Sequence, residues 1–155
     1  MNKKVSELLK SREFVSVATC DLQGRPNAAP KFLLKLENNF IYLVDYIIGR
    51  TFRNLGVNPR ISISFMDNNS LMGYQLNGAV ELIEGGPEYE ALVQDLSQRK
   101  VDLSTRRIIE GVTQGKAHAG FELGMSESFV IFKVKVEEIV EIFSSGTLKT
   151  EKICE

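Results

Sequence analysis

Gly49-Arg50-Thr51-Phe52-Arg53-Asn54-Leu55-Gly56-Val57 runs straight into Asn58-Pro59-Arg60-Ile61-Ser62-Ile63-Ser64-Phe65, and the apolar period changes between the two stretches. In the first, Phe52 and Leu55 fall at helical spacing, with Val57 extending the set. Asn58-Pro59 then ends the helix, because a residue before proline is pushed out of helical geometry. In the second, Ile61, Ile63 and Phe65 alternate with Ser62 and Ser64. A period of two means a strand with one buried face.

Working outward, strand patterns dominate on both sides. Val5 to Arg12 reads as a short amphipathic helix, with Val5, Leu8 and Leu9 on one side. Phe14 to Thr19, Ala28 to Leu36 and Phe40 to Tyr46 read as a three-strand meander. Its turns are Asp21-Leu22-Gln23-Gly24 and Asn38-Asn39. After the quoted stretch, Asp67-Asn68-Asn69 turns the chain into a long strand, Leu71 to Ile83, with Gly73 and Gly78 as candidate bulges. Gly85-Gly86-Pro87 opens a helix that should reach about Arg99, and a second helix is expected over Leu103 to Val112. Gln114 to Glu127 reads as irregular. Phe129 to Val136 and Glu138 to Phe143 read as two final strands, followed by a polar tail from Ser144 that should be frayed. The expectation is one domain over residues 1–155, mainly β with a few helices. Its strands, six or seven and antiparallel, should close into a barrel, since closure removes exposed strand edges.

The chain has 155 residues and a net charge of −1. That length can bury a core. The charge gives no sign of the basic excess usual in nucleic-acid binders, so no nucleic-acid partner is expected. No stretch reaches the roughly 20 apolar residues of a membrane span, and the first ten residues lack the apolar core of a signal peptide. Cys20 and Cys154 form no metal or redox spacing, and both read as free thiols in a reducing cytoplasm.

Four places could carry chemistry. Gly49-Arg50-Thr51 begins a helix, where unpaired backbone N–H groups, a guanidinium and a hydroxyl suit a phosphate. The plain alternative is a surface helix with solvated arginines. Lys31 sits in Pro30-Lys31-Phe32-Leu33-Leu34-Lys35; if Phe32 and Leu34 face inward, Lys31 shares the other face with Leu33. A lysine there wants an anion or a path to water. Gln75 and Asn77 share one face of the long strand and could read a heterocycle edge, or simply face solvent. Asp45 and Tyr46 end a strand just before the basic helix, a suitable ligand mouth. His118, the single histidine, has no neighbours for a triad or a metal site and reads as a loop residue. Glu81 and Glu84 read as a solvated face. No metal site and no catalytic acid–base pair emerges.

In this order and spacing the pieces resemble one family. Phe14-Val15-Ser16-Val17-Ala18-Thr19, Gly24-Arg25-Pro26 and Ala29-Pro30-Lys31-Phe32 are similar to its opening hairpin. The Gly49–Leu55 and Asn58–Ile63 stretches are similar to its phosphate-binding helix and the strand after it. Leu76-Asn77-Gly78-Ala79-Val80-Glu81-Leu82 is similar to its next strand, and Gly86-Pro87-Glu88-Tyr89-Glu90-Ala91-Leu92 to the helix beyond that strand. This is the pyridoxamine 5'-phosphate oxidase-like FMN-binding split barrel, and the likeness is strongest to its small FMN-binding proteins. It covers roughly Val5 to Leu96.

The resemblance implies a homodimer holding FMN at the subunit interface. It implies that Arg50 and Thr51 take the phosphate together with Lys31. Phe32 and Leu33 would offer backbone to the flavin, Asp45 and Tyr46 would lie beside its ring, Asn54 would support the helix start, and Gln75 would approach from a neighbouring strand. Many members carry lysine where Thr51 stands, which lightens the implied phosphate grip. The vitamin oxidases end with an arginine and a histidine for their substrate, whereas this chain has Ile142-Phe143-Ser144-Ser145-Gly146 there. The name-giving reaction is therefore not expected. The segment through Leu103–Val112, Phe121 and Met125 is an addition expected to cover the flavin. The readings carried forward are an FMN oxidoreductase served by NAD(P)H or another small redox partner, a non-catalytic FMN carrier, the same barrel holding a deazaflavin, and a cofactor-free dimer.

Overall fold

The computed structural model describes residues 1–115 and 129–153, in two compact units: Met1–Ile83 with Phe129–Glu155, and Glu84–Ser128. The first unit holds β1 (Phe14–Cys20), β2 (Pro26–Glu37), β3 (Phe40–Asp45), β4 (Arg60–Asp67), β5 (Met72–Ile83), β6 (Val130–Ile142) and β7 (Leu148–Lys152). They pair antiparallel in the order β3-β2-β1-β4-β5-β6-β7, and β3 also pairs with β6. The first six therefore form a closed antiparallel barrel, and β7 is an extra strand outside it.

The alternation around Ile63 sets the inside of the barrel. Ile61, Ile63 and Phe65 are buried, and Ser64 is exposed. Val130, Phe132, Val134 and Val136 meet them in the same core. Turn chemistry fits the hairpins. Gly24 has φ +76 between β1 and β2, and Asn38 takes the left-handed region (φ +54) between β2 and β3.

Helix α1 (Lys3–Lys10) starts two residues earlier than its apolar pattern suggests, because Asn2 caps it by accepting from the Val5 N–H at 2.9 Å. Val5 and Leu9 are fully buried in the barrel core. Truncating Leu9→Ala should cost about 3 kcal/mol, since the cavity cannot fully collapse. A urea melt with an unmoved midpoint would show that α1 is not part of this core. Helix α2 (Arg50–Val57) buries Thr51 and Leu55, while Val57 is exposed rather than inward.

Three expectations are corrected. The two strands read at Phe129–Val136 and Glu138–Phe143 are one, β6. Its inward set shifts from even to odd numbers between Val136 and Ile139, because β5 steps from Asn77↔Glu138 to Gly78↔Val136 and leaves Glu137 as the extra residue. The two helices read at 87–99 and 103–112 are one, α3 (Pro87–Gln114), of 28 residues. Lys100-Val101-Asp102 contains neither glycine nor proline, so nothing breaks it. The tail expected to fray carries β7, whose Leu148–Lys152 pairs with the Glu138–Ile142 half of β6. All five β7 residues are exposed, so backbone pairing rather than burial holds it. No helix among the described residues is long and apolar enough to cross a membrane. His118, Phe121, Met125 and Cys154 lie outside the described residues.

Candidate functional site

Helix α2 is fixed to the barrel by amides. Asn27 Nδ2 on β2 donates to Thr51 Oγ1 at 3.1 Å, and Asn54 Nδ2 donates to Thr19 Oγ1 on β1 at 3.2 Å. Asn58 Nδ2 reaches the Cys20 carbonyl at 3.3 Å. The N-terminus of α2 follows Gly49, which supplies no side-chain cap, and the first intrahelical bond is Arg53 N–H to Gly49 O at 3.2 Å. The N–H groups of the first turn are thus left for a ligand or water, at the positive end of the helix dipole. Arg50 is exposed beside them and Thr51 is 2% exposed.

This helix start opens onto a cleft of about 370 Å³, lined among others by Phe32, Tyr46, Ile47, Gly49, Arg50 and Thr51. Phe14, Phe32 and Tyr46 put rings on its wall, and Phe129 continues the run beyond it. Phe14 meets Phe32 edge-on at 5.6 Å, Phe32 meets Tyr46 at 6.4 Å, and Tyr46 meets Phe129 at 6.1 Å. Burial pushes the Tyr46 phenol above its ordinary value, so it stays neutral through physiological pH. Phe14 and Phe129 were not singled out by sequence, since each gains its meaning only from strand register.

Lys31 lines the same cleft as Gly49, Arg50 and Thr51, but its ammonium is already engaged by a carboxylate. The register Val15↔Lys31 puts its side chain on the barrel side with Leu33, while Phe32 faces outward with Phe14. Lys31 Nζ donates to Asp45 Oδ1 at 2.7 Å, and the two side chains are 7% and 3% exposed. Asp45 Oδ1 also accepts the Ile47 N–H at 3.2 Å, and Oδ2 is buried without a hydrogen-bond partner. The pair sits one step past Phe32↔Val44, where β2 and β3 oppose each other. Its charges cancel; among the described residues that line the cleft, Arg50 is the other cation.

Gln75 is not beside these residues. The strand order puts β5 three strands from β2, roughly 14 Å along the sheet. On the outer face Gln75 Nε2 donates to Ser62 Oγ at 3.0 Å and Asn77 Oδ1 at 3.2 Å, and Asn77 Nδ2 donates to Glu138 at 2.7 Å. The structure therefore gathers Lys31, Phe32, Asp45, Tyr46, Arg50 and Thr51 around one cleft, places Leu33 in the core and Asn54 between α2 and β1, and leaves Gln75 apart. Among the described residues no cluster of His, Cys, Asp and Glu could hold a metal ion.

Comparison with known proteins fixes the family. The family model for pyridoxamine 5'-phosphate oxidase matches residues 1–143. This chain belongs to the pyridoxamine 5'-phosphate oxidase family. Among solved members, a Clostridium acetobutylicum protein related to general stress protein 26 of B. subtilis superposes with a TM-score of 0.70. It is 20% identical, over 97% of this chain and 92% of that one. A family-related FMN-binding protein from Nostoc punctiforme gives 0.58 at 13% identity, over 99% and 96%. By sequence, the heme oxygenase HutZ of Vibrio cholerae is 30% identical over 70 residues, which span 45% of this chain and 39% of HutZ. The structure of HutZ superposes with a TM-score of 0.61 at 22% identity, over 93% and 96%. Relatives of this pyridoxamine 5'-phosphate oxidase family member thus include proteins named for FMN and for heme.

Proposed function

We propose that this protein is an FMN-binding redox protein, working as a homodimer. The observation that carries the reading is the uncapped start of α2, with Arg50 beside it, opening onto a cleft walled by Phe32 and Tyr46. These residues fit FMN: donors and a cation for a phosphate, and flat apolar surface for a ring system. Arg50 and the first-turn N–H groups would hold the phosphate, with the Thr51 hydroxyl, already accepting from Asn27, free to donate. FMN supplies hydride and single-electron chemistry, while the protein binds it, shields it and sets its surroundings. The pyridoxamine phosphate oxidation itself is not proposed, since Ile142-Phe143-Ser144-Ser145 lacks the family's substrate arginine and histidine.

The homodimer is supported by the outer face of the sheet. Phe14, Met66, Leu71 and Ile142 are 49%, 53%, 63% and 39% exposed around Ser16, Ser64 and Gln75. A second copy on this face would bury them and could bring its own Gln75 amide towards the cleft.

Removing the guanidinium in Arg50→Ala should weaken FMN binding by at least about tenfold, the scale of one charge-assisted hydrogen bond. Quenching of flavin fluorescence on titration measures it, and unchanged affinity would move the phosphate elsewhere. NAD(P)H-dependent bleaching of bound flavin under anaerobic conditions separates an enzyme from a carrier.

A second reading is heme binding, favoured by the 30% identity to HutZ. Heme iron takes an axial His, Cys, Met or Tyr, and His118 is the single histidine. Under this reading His118→Ala perturbs a heme spectrum; under the flavin reading it leaves the flavin spectrum intact.

A further inference from the structure

A second cleft adjoins the first on the far side of Arg50. Its walls are the β1–β2 hairpin and the side of α2 on which Arg50, Arg53, Asn54 and Val57 follow one another at helical spacing. Its volume is about 440 Å³. Three guanidinium groups line it, from Arg25, Arg50 and Arg53, against one carboxylate, Asp21.

That carboxylate is already committed. Asp21 accepts the backbone N–H groups of Gln23 and Arg25, each at 2.9 Å, and Arg25 Nε at 2.7 Å. The Arg25 backbone N–H foremost, then its side chain and Gln23, hold the Asp21 carboxyl below its ordinary value, so it stays ionised. Its role is to brace Arg25, whose Nη2 is tied in turn to Gln23 Oε1 at 3.1 Å. Arg25 is thereby pre-oriented with Nη1 uncommitted. Arg50 and Arg53 meet no carboxylate among the described residues. Counting side chains, the cleft carries three positive charges and one negative.

We propose that this cleft is a second phosphate-binding subsite, contiguous with the first through Arg50, which lines both. Planar guanidinium forks match phosphate oxygens in pairs, and a concave surface with a net excess of two positive charges favours a group carrying two negative ones. Two sources share that chemistry. One is the outer phosphate of a flavin extended through a phosphoanhydride, such as FAD, running past Arg50 from one cleft to the other. The other is a separate phosphorylated ligand that binds while FMN fills the first cleft. The proposal relies on the flavin reading only for what occupies that first cleft.

The test compares the wild type with Arg25→Gln/Arg53→Ala, two exposed positions, after urea melts show that the variant folds. Arg53→Glu, which leaves the hairpin brace untouched, serves as the second variant. FMN and FAD are titrated into the apoprotein, and inorganic pyrophosphate into protein preincubated with excess FMN. FMN affinity should stay within about threefold. A loss of about tenfold or more confined to FAD identifies the extended flavin; the same loss confined to pyrophosphate identifies a separate ligand. Equal FAD and pyrophosphate affinities in wild type and both variants would overturn the subsite. If FMN fails to bind while pyrophosphate binds through Arg25 and Arg53, the flavin reading falls and the subsite stands.

Discussion

Lys31→Met should destabilise the protein by about 3 to 5 kcal/mol, the cost of stripping one partner from a buried ion pair. The side chain is 7% exposed and its ammonium lies 2.7 Å from Asp45 Oδ1. Methionine fills much the same volume, so packing changes little. What remains is a buried carboxylate with the Ile47 N–H at 3.2 Å and an Oδ2 that already has no partner. The double variant Lys31→Met/Asp45→Leu should recover most of the loss, because removing both charges also removes the need to compensate either. The same pair separates stability from cofactor binding. Since Lys31 is neutralised by Asp45, the double variant should hold FMN within a few fold of wild type, whereas Arg50→Ala should not. Urea midpoints and FMN titrations on the three variants decide this. A fully stable Lys31→Met protein with weakened FMN binding would return Lys31 to the phosphate.

Gly78→Ala should be the most disruptive single methyl group in the barrel. A Cβ at this position would lie 2.0 Å from the Lys135 carbonyl oxygen and 3.0 Å from its carbon. Both are backbone atoms of β6, so no side chain can swing aside, and β5 and β6 must separate at the bulge. Over-packing of this kind costs about 3 kcal/mol or more. Gly73→Ala is the control on the same strand, since its Cβ would come no closer than 3.4 Å, to Ile142. The urea midpoint should fall far more for Gly78→Ala than for Gly73→Ala. Equal midpoints would mean that the β5–β6 register differs from the one described.

The barrel was readable wherever burial follows period. Ile61-Ser62-Ile63-Ser64-Phe65 announces an inside and an outside, and the turns at Gly24 and Asn38 announce their own backbone geometry. Reading failed where one residue shifts the phase, at Glu137, and where pairing needs no burial, as in β7. For the site, the helix start at Gly49-Arg50-Thr51 was visible because caps and basic residues are local signals. The Lys31–Asp45 pair was not, since 14 residues separate the partners and only the β2–β3 register makes them opposite. The distance from Gln75 to the cleft was hidden for the same reason: strand order is a long-range property. Arg25 and Arg53 each look like a solvated surface charge until the hairpin and α2 are seen to form one cleft.

FMN in the α2 cleft is the central functional reading for this member of the pyridoxamine 5'-phosphate oxidase family. The absorption spectrum of the purified protein, taken before and after titration with FMN, decides it. Flavin bands should sharpen on binding, and FMN should be recovered when the protein is denatured. A heme spectrum with no flavin, or a colourless protein whose spectrum is a plain sum with added FMN, would contradict that reading.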